Sequence, residues 1–452
     1  MQGSSFARHG KKLAAGLMAA GLMAGSPLHA MDLLESYQLA LQNEPNFQAA
    51  RAAADASREA LPQARSQLLP SVQATGSVGV ASTERTSLSQ LGREITSNYD
   101  YMSSNYGVSL RQPIFRMQNW ALLKQAKEQV AGAEATLQKE TQNLGDRVVS
   151  AYINGLYAED SLSSILAQKD AYNGQLRAAK RQFDLGQGTR TDIDEAQARF
   201  DLAAAQEIEE RENTEFTRQQ VEQLTNHEVK TLSKLNPARM DISPVQPASL
   251  ENWIDKAEKG NPEIEAAKHA LASAQQEVTK AAAGHYPTLD IYAQFSRSSS
   301  DANYTINQRY ETSQVGVQMA LPIFSGGYVD SRIRQALATV QQAEQQLEAT
   351  HIALKMNVRK QFQSIVEGVA KIKAMEIARH SAEQSLTSNR KGYDAGIRSS
   401  LDVLNAVMEK AKVENDLSRT RYEYTLARMR LKSLIGELDQ EVIATLNKWF
   451  GP

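Results

Sequence analysis

The sequence predicts an α+β membrane protein, with long antiparallel α-helical hairpins and four barrel-type β-strands in each chain. Three observations predict it: the chain is written twice, each copy holds a strand-like alternating stretch, and each copy holds a long proline-free heptad segment.

The duplication comes first. Pro45 and Pro70 return as Pro262 and Pro287, both 217 positions on. Gln112-Pro113-Ile114-Phe115 returns as Leu321-Pro322-Ile323-Phe324, and Phe183-Asp184-Leu185-Gly186 as Tyr393-Asp394-Ala395-Gly396, at offsets of 209 and 210. A period of that size is far longer than a solenoid unit. It is a duplicated half-molecule, so one function must account for both halves.

The N-terminus sets the compartment. Arg8, His9, Lys11 and Lys12 precede the apolar run Leu13 to Met23, followed by Pro27-Leu28-His29-Ala30. Residues 1–30 therefore read as a secretory signal peptide, too short to span a bilayer. Leu28 is larger than the usual residue three before a cut, which leaves the cleavage point open by a few positions. After Met31 no apolar run approaches the ~20 residues of a spanning helix. The organisation expected is a first repeat over 31–230, a linker or equatorial segment over 231–250, a second repeat over 251–436 and a C-terminal periplasmic segment over 437–452.

Composition excludes several classes. With no cysteine, an exported chain has no disulfides and no lipid anchor on an N-terminal cysteine. Lys and Arg number 50 against 52 Asp and Glu, so no nucleic-acid partner is expected. Only 6% of residues are aromatic, which suits long helices better than one thick core. The histidines, among them His269, His285, His351 and His380, are scattered without metal or nucleophile spacing. No phosphate-binding glycine loop is present. Neither an enzyme nor a cofactor is expected.

The helical segments are unusually long. Leu123, Val130, Leu137 and Leu144 fall at seven-residue intervals, as do Ile333, Val340, Leu347 and Leu354. Ala126 and Ala133, then Ala336 and Ala343, lie three positions after the first two members of each series. A sustained heptad makes a coiled-coil seam, and alanine within it lets helices approach closely. From Met117 to about Arg181 the rod is roughly 100 Å long at ~1.5 Å per residue. Shorter partners, Asp192 to about Leu224 and Leu401 to about Ile435, follow the glycine turns and close each pair into a hairpin. A cytoskeletal rod is the alternative, against which the strands and the signal peptide count.

Val72, Ala74, Gly76, Val78 and Val80 alternate with polar or small residues, as do Leu289, Ile291, Ala293 and Phe295. Returning strands read Tyr106, Val108, Leu110 and Val315, Val317, Met319, Leu321. Each is about 10 residues long, the pattern of an outer-membrane barrel strand. Thr83 to Met102 and Ser299 to Glu311 are polar and are expected as extracellular turns. Two soluble hairpins packed on the helices would give a similar pattern. If the strands sit in lipid, four cannot close a barrel, and open edges are not tolerated there. Several chains must then share one barrel: two give a narrow, plugged one, three give twelve strands and a channel. The same chains would gather their helices into a hollow periplasmic α-barrel.

With these features the chain resembles the TolC family of outer-membrane export ducts over essentially its whole mature length. The resemblance rests on the duplicated order, the two Pro-Ile-Phe strand exits, the paired turns, and Gly188-Thr189-Arg190-Thr191-Asp192, which is similar to members serving type I secretion. It implies a homotrimer with a shared twelve-strand barrel in outer-membrane lipid. It also implies a periplasmic adaptor protein and an inner-membrane ABC transporter or proton-driven pump as partners. Many efflux members carry an acylated N-terminal cysteine, absent here, which favours protein export by a type I system over a multidrug efflux duct. A periplasmic coiled-coil scaffold is the reading from another class. The resemblance further implies a periplasmic gate, in which Tyr393 meets Asp192 and Arg398 reaches Thr191 or Asp192 of a neighbouring hairpin. It implies an acidic constriction ring of two aspartates one turn apart. Asp402 matches the first, but the second falls on Asn405, so the ring should carry half the formal charge. Asp192 and Asp402 also suit an ordinary first-turn role, since carboxylates satisfy the orphan N–H groups of a helix start.

Overall fold

The computed structural model describes residues 30–302 and 304–451; the expected signal peptide, Ala30 apart, lies outside them. Helix α1 (Leu33–Asn43) leads into α2 (Pro45–Arg58) and the short α3 (Ala60–Ser66). Pro45 opens α2 behind the Glu44 cap, at a position where its missing N–H costs nothing. A long hairpin follows, β1 (Ser71–Leu88) and β2 (Glu94–Phe115), then the long hairpin of α4 (Met117–Asp184) and α5 (Arg190–Thr225). After an irregular crossing come α6 (Leu250–Gly260) and α7 (Pro262–Ala282). Pro262 opens α7 behind the Asn261 cap, repeating the Pro45 device. The second copy continues with β3 (Thr288–Ser299), β4 (Arg309–Ala320), α8 (Tyr328–Asp394) and α9 (Ser400–Leu434), and α10 (Gln440–Asn447) ends the described chain.

The strands form one antiparallel sheet in the order β1-β2-β3-β4. Its register sorts the side chains by face. Val72 pairs Leu110, which pairs Ala293, which pairs Val315. The next row outward is Ala74, Val108, Phe295 and Ser313, and towards the helices Gln112, Ile291 and Val317. The apolar members of each strand therefore share one face across all four strands. From Leu289 to Arg297, where Arg297 pairs with Glu311 at 3.4 Å, that face spans about 27 Å of strand. Those nine residues suit the roughly 9–11 that a tilted strand needs to cross the hydrocarbon core. The opposite face carries Gln73, Thr75, Ser77, Asn105, Ser109, Gln294, Ser296, Gln314 and Gln318.

The strand extents differ from expectation. β1 and β2 have 18 and 22 residues rather than about 10, and the stretch expected as a polar turn from Thr83 to Met102 is mostly ladder. Only Ser89 to Arg93 turns, with Gly92 at φ 72°. Ser, Thr and Tyr pair well on a solvated ribbon, as the 3.1 Å Thr86–Thr96 hydroxyl contact illustrates. The hairpin therefore continues as a two-stranded ribbon beyond the apolar band. β3 and β4, each 12 residues, stop near Ser299 and Arg309.

Helix α4 has 68 residues and α8 has 67, rods of about 100 Å. Among the described residues no helix is apolar and long enough to cross a membrane. The larger core cluster lies around mid-rod and gathers Leu144, Val148, Tyr152 and Leu156 of α4 with Leu33 and Tyr37 of α1, Ile365 and Ile372 of α8, and Leu431 of α9; a smaller one nearer the tips holds Tyr172 and Leu176 of α4, Ile193 of α5 and Leu404 of α9. The terminal segment folds back into the larger cluster through Leu438, Ile443 and Leu446. A β-carbon on Gly145 would sit 2.7 Å from Leu438 Cδ2, so glycine is what lets that segment reach α4. Of the heptad residues, Leu144 and Leu354 are buried in the chain, while Leu123, Val130, Leu137, Ile333, Val340 and Leu347 are half-buried. Along α8, Leu337, Ile352, Met356 and Ile377 are exposed.

Candidate functional site

At the far tips of the rods the two halves build the same turn. Leu185 N–H returns to Arg181 O, and both Gln187 and Gly188 donate to Gln182 O; Ala395, Ile397 and Arg398 repeat this on Lys391 and Gly392. Gly186 and Gly396 take φ of 73° and 75°, the left-handed conformation that ends both helices. Each following helix starts with a reciprocal capping box. Thr189 N–H and Oγ donate to Asp192 at 3.0 and 2.6 Å, and Asp192 N–H returns to Thr189 Oγ1 at 3.2 Å. Ser399 and Asp402 do the same at 3.0, 2.9 and 3.2 Å. The first-turn role weighed for both aspartates is thus present. The Ser399 backbone and side-chain bonds, then Arg398, hold the Asp402 carboxyl below its ordinary value.

The turns differ where they exchange bulk. A β-carbon on Gly188 would lie 3.0 Å from Phe183 N and 3.1 Å from Gln182 Cβ. In the second turn the glycine is at Gly392, and Arg398 lies over it, with Cγ 2.7 Å from where a β-carbon would be. The first turn therefore keeps a side chain at Gln182 and the second keeps one at Arg398. Gln182 is used: it accepts the Tyr393 hydroxyl at 2.6 Å. Within the chain Tyr393 thus bonds Gln182 rather than Asp192, whose carboxylate is occupied by its own cap. Burial, and then the nearby Asp192 charge, push the Tyr393 phenol up. Thr191 and Arg398 are exposed at the tip. Asn405, one turn beyond Asp402, accepts from Arg199 of α5 at 3.3 Å, and Arg199 also approaches Met408 Sδ at 3.6 Å. Sequence reasoning missed Gln182 and Arg199, because nothing in their local spacing marks them.

This geometry joins barrel-type strands, paired rods and matched tips in one duplicated chain. The model of outer membrane efflux proteins matches residues 36–227 and 253–437. The chain belongs to the outer membrane efflux protein family. Members of this family are channel proteins of the outer membrane, and the likeness runs along the chain. It is 35% identical over 413 residues to the alkaline protease secretion protein AprF of Pseudomonas aeruginosa, covering 91% of this chain and 85% of that one. It is 30% identical to the outer membrane protein TolC of Escherichia coli, covering 97% and 89%. Among solved structures, the outer-membrane channel OprN superposes with a TM-score of 0.77 over 90% of each chain at 17% identity, a likeness of fold.

Proposed function

We propose that this efflux-family protein is the outer-membrane duct of a type I secretion system, releasing protein cargo as a homotrimer. The observation that carries the reading is its near full-length likeness to a protein named for secreting alkaline protease. The sheet adds a physical reason for the oligomer. Both edges, β1 and β4, lack partners among the described residues, and such edges are not tolerated in lipid. The exposed apolar residues of α8 and the half-buried heptads call for a neighbour along the rods as well.

In this reading three sheets close a twelve-strand barrel and the rods form the periplasmic tunnel. A periplasmic adaptor and an inner-membrane ABC transporter supply energy and cargo choice, while the duct is passive. Its tips are the gate. Tyr393 ties α8 to α4 through Gln182, and Arg398 lies over Gly392 exposed at the tip; its role in this reading is to reach Thr191 or Asp192 of a neighbouring hairpin. Asp402 and Asn405 line the constriction, with one formal negative charge per chain. Domains follow the repeats, 31–230 and 251–436, joined through 231–250 and ended by 437–452.

The test is deletion of the gene. Loss of one or a few proteins from the culture supernatant, restored by the wild-type gene and with unchanged tolerance to toxic small molecules, is expected. Unchanged secretion with a fall in drug tolerance would replace this reading with the multidrug efflux duct.

A further inference from the structure

The polar face of the sheet is nearly uncharged. Along the paired strands it presents mostly Ser, Thr, Asn, Gln, Gly and Tyr, with Ala81, Ile95, Pro113 and Ala320, and among the described strand residues its charges are Arg85, far out on the ribbon, Arg111 and Asp290. Arg111 and Asp290 sit together at the end where all four strands join the helices. Arg111 donates to Asp290 Oδ2 through Nε at 3.1 Å and Nη2 at 2.6 Å. Arg116, the residue before α4, donates to Oδ1 at 2.8 Å and to Oδ2 at 2.6 Å. The Asp290 side chain is 3% exposed, that of Arg116 29% and that of Arg111 53%. One buried carboxylate therefore holds two guanidinium groups, and one positive charge per chain is left uncompensated on the polar face.

We propose that Arg111, positioned by Asp290 and backed by Arg116, is a selectivity-determining residue that forms a cationic collar at the neck of the duct and favours anions there. This rests on the reading that the polar face encloses the lumen. In a passage lined by neutral polar groups, a ring of fixed charge sets the local ion concentration, and the preference falls as salt screens it. The opposite charge, Asp290, is covered by its two partners, so passing ions meet the half-exposed Arg111. Two Arg111 donors converge on the one oxygen, Oδ2, and this double hold keeps Arg111 from swinging away, which a lysine could not replicate.

The experiment uses the purified full-length protein in planar bilayers under a potassium chloride gradient, reading the ratio of potassium to chloride permeability. Arg111→Gln should raise that ratio roughly twofold at about 0.1 M salt, the effect of one charge some 8 Å from a passing ion in water. Asp290→Asn, which keeps an acceptor oxygen, should lower it. Both differences should shrink at 1 M salt, where the screening length is about 3 Å. A purely structural role would move both variants the same way, and that result, or no shift in Arg111→Gln, overturns the collar. If Asp290→Asn does not assemble, Arg111→Gln alone decides. A protein that stays without conductance even when Arg398→Ser loosens the tips would instead overturn the duct reading beneath it.

Discussion

Tyr393 Oη donates a 2.6 Å hydrogen bond to Gln182 Oε1, so one neutral bond ties the last turn of α8 to the last turn of α4. Such a bond contributes about 1 kcal/mol net, whereas a charge-assisted one contributes about 1.5–3 kcal/mol. Tyr393→Phe and Gln182→Ala should therefore raise single-channel conductance to a similar, modest degree, and the double variant little further. Arg398→Ser should raise it more and add to either. If Tyr393→Phe and Gln182→Ala add fully, the bond is not what either residue contributes to closure.

A second prediction concerns the lipid face. Val108 lies in the middle of the apolar rows, between Ala74 and Phe295. Val80, 86% exposed, lies two rows beyond Gly76, which shares a row with the Arg297–Glu311 pair. Val108→Arg should block assembly in the outer membrane, at a cost of about 2–4 kcal/mol per chain near the midplane, against about 0–1 near the interface for Val80→Arg. Heat-modifiable assemblies recovered from outer membranes report both, and equal recovery would refute the facing assigned to β2.

The third prediction tests whether the two halves pack alike. Leu144 is fully buried and Leu354 is 5% exposed, at positions 210 apart. Leu144→Ala and Leu354→Ala should each destabilise the detergent-solubilised assembly by about 2–5 kcal/mol per chain. Leu137→Ala should cost nearly as much there, although Leu137 is only half-buried in one chain, because a neighbouring chain completes its seam. Urea or thermal unfolding measures all three. A loss at Leu144 with none at Leu354 would mean that the duplication has drifted apart in the core.

What the sequence made legible was local or periodic. The heptads marked α4 and α8 because seven-residue spacing survives without knowledge of any partner, and Gly186 and Gly396 marked the turns because the left-handed conformation selects glycine. Strand alternation was readable inside the apolar band and misleading outside it. From Thr83 to Met102 the strands are mostly polar on both sides, with Leu88, Ile95 and Met102 as isolated apolar residues, and a solvated ribbon then has the composition of a loop. Within the site, Asp192 and Asp402 were readable as helix starts from the glycine turns just before them, and the capping boxes with Thr189 and Ser399 agree. Gln182 with Tyr393, Arg199 with Asn405, and Asp290 with its two arginines were not. Each joins residues well over a hundred positions apart, and which side chains meet depends on helix rotation and strand register that no local pattern encodes.

Among the described residues the order β1-β2-β3-β4 leaves a strand without an outer partner at each side of the sheet. One chain therefore cannot satisfy its backbone in lipid alone, and entry into the membrane is inseparable from meeting further copies. The consequence is genetic. An allele that spoils the β4 edge while leaving β1 intact still joins its sisters through the sound side and prevents the ring from closing. In a cell carrying both alleles it should poison the wild-type product and behave as dominant. An allele that deletes the whole sheet cannot enter the ring through either edge, and should be recessive.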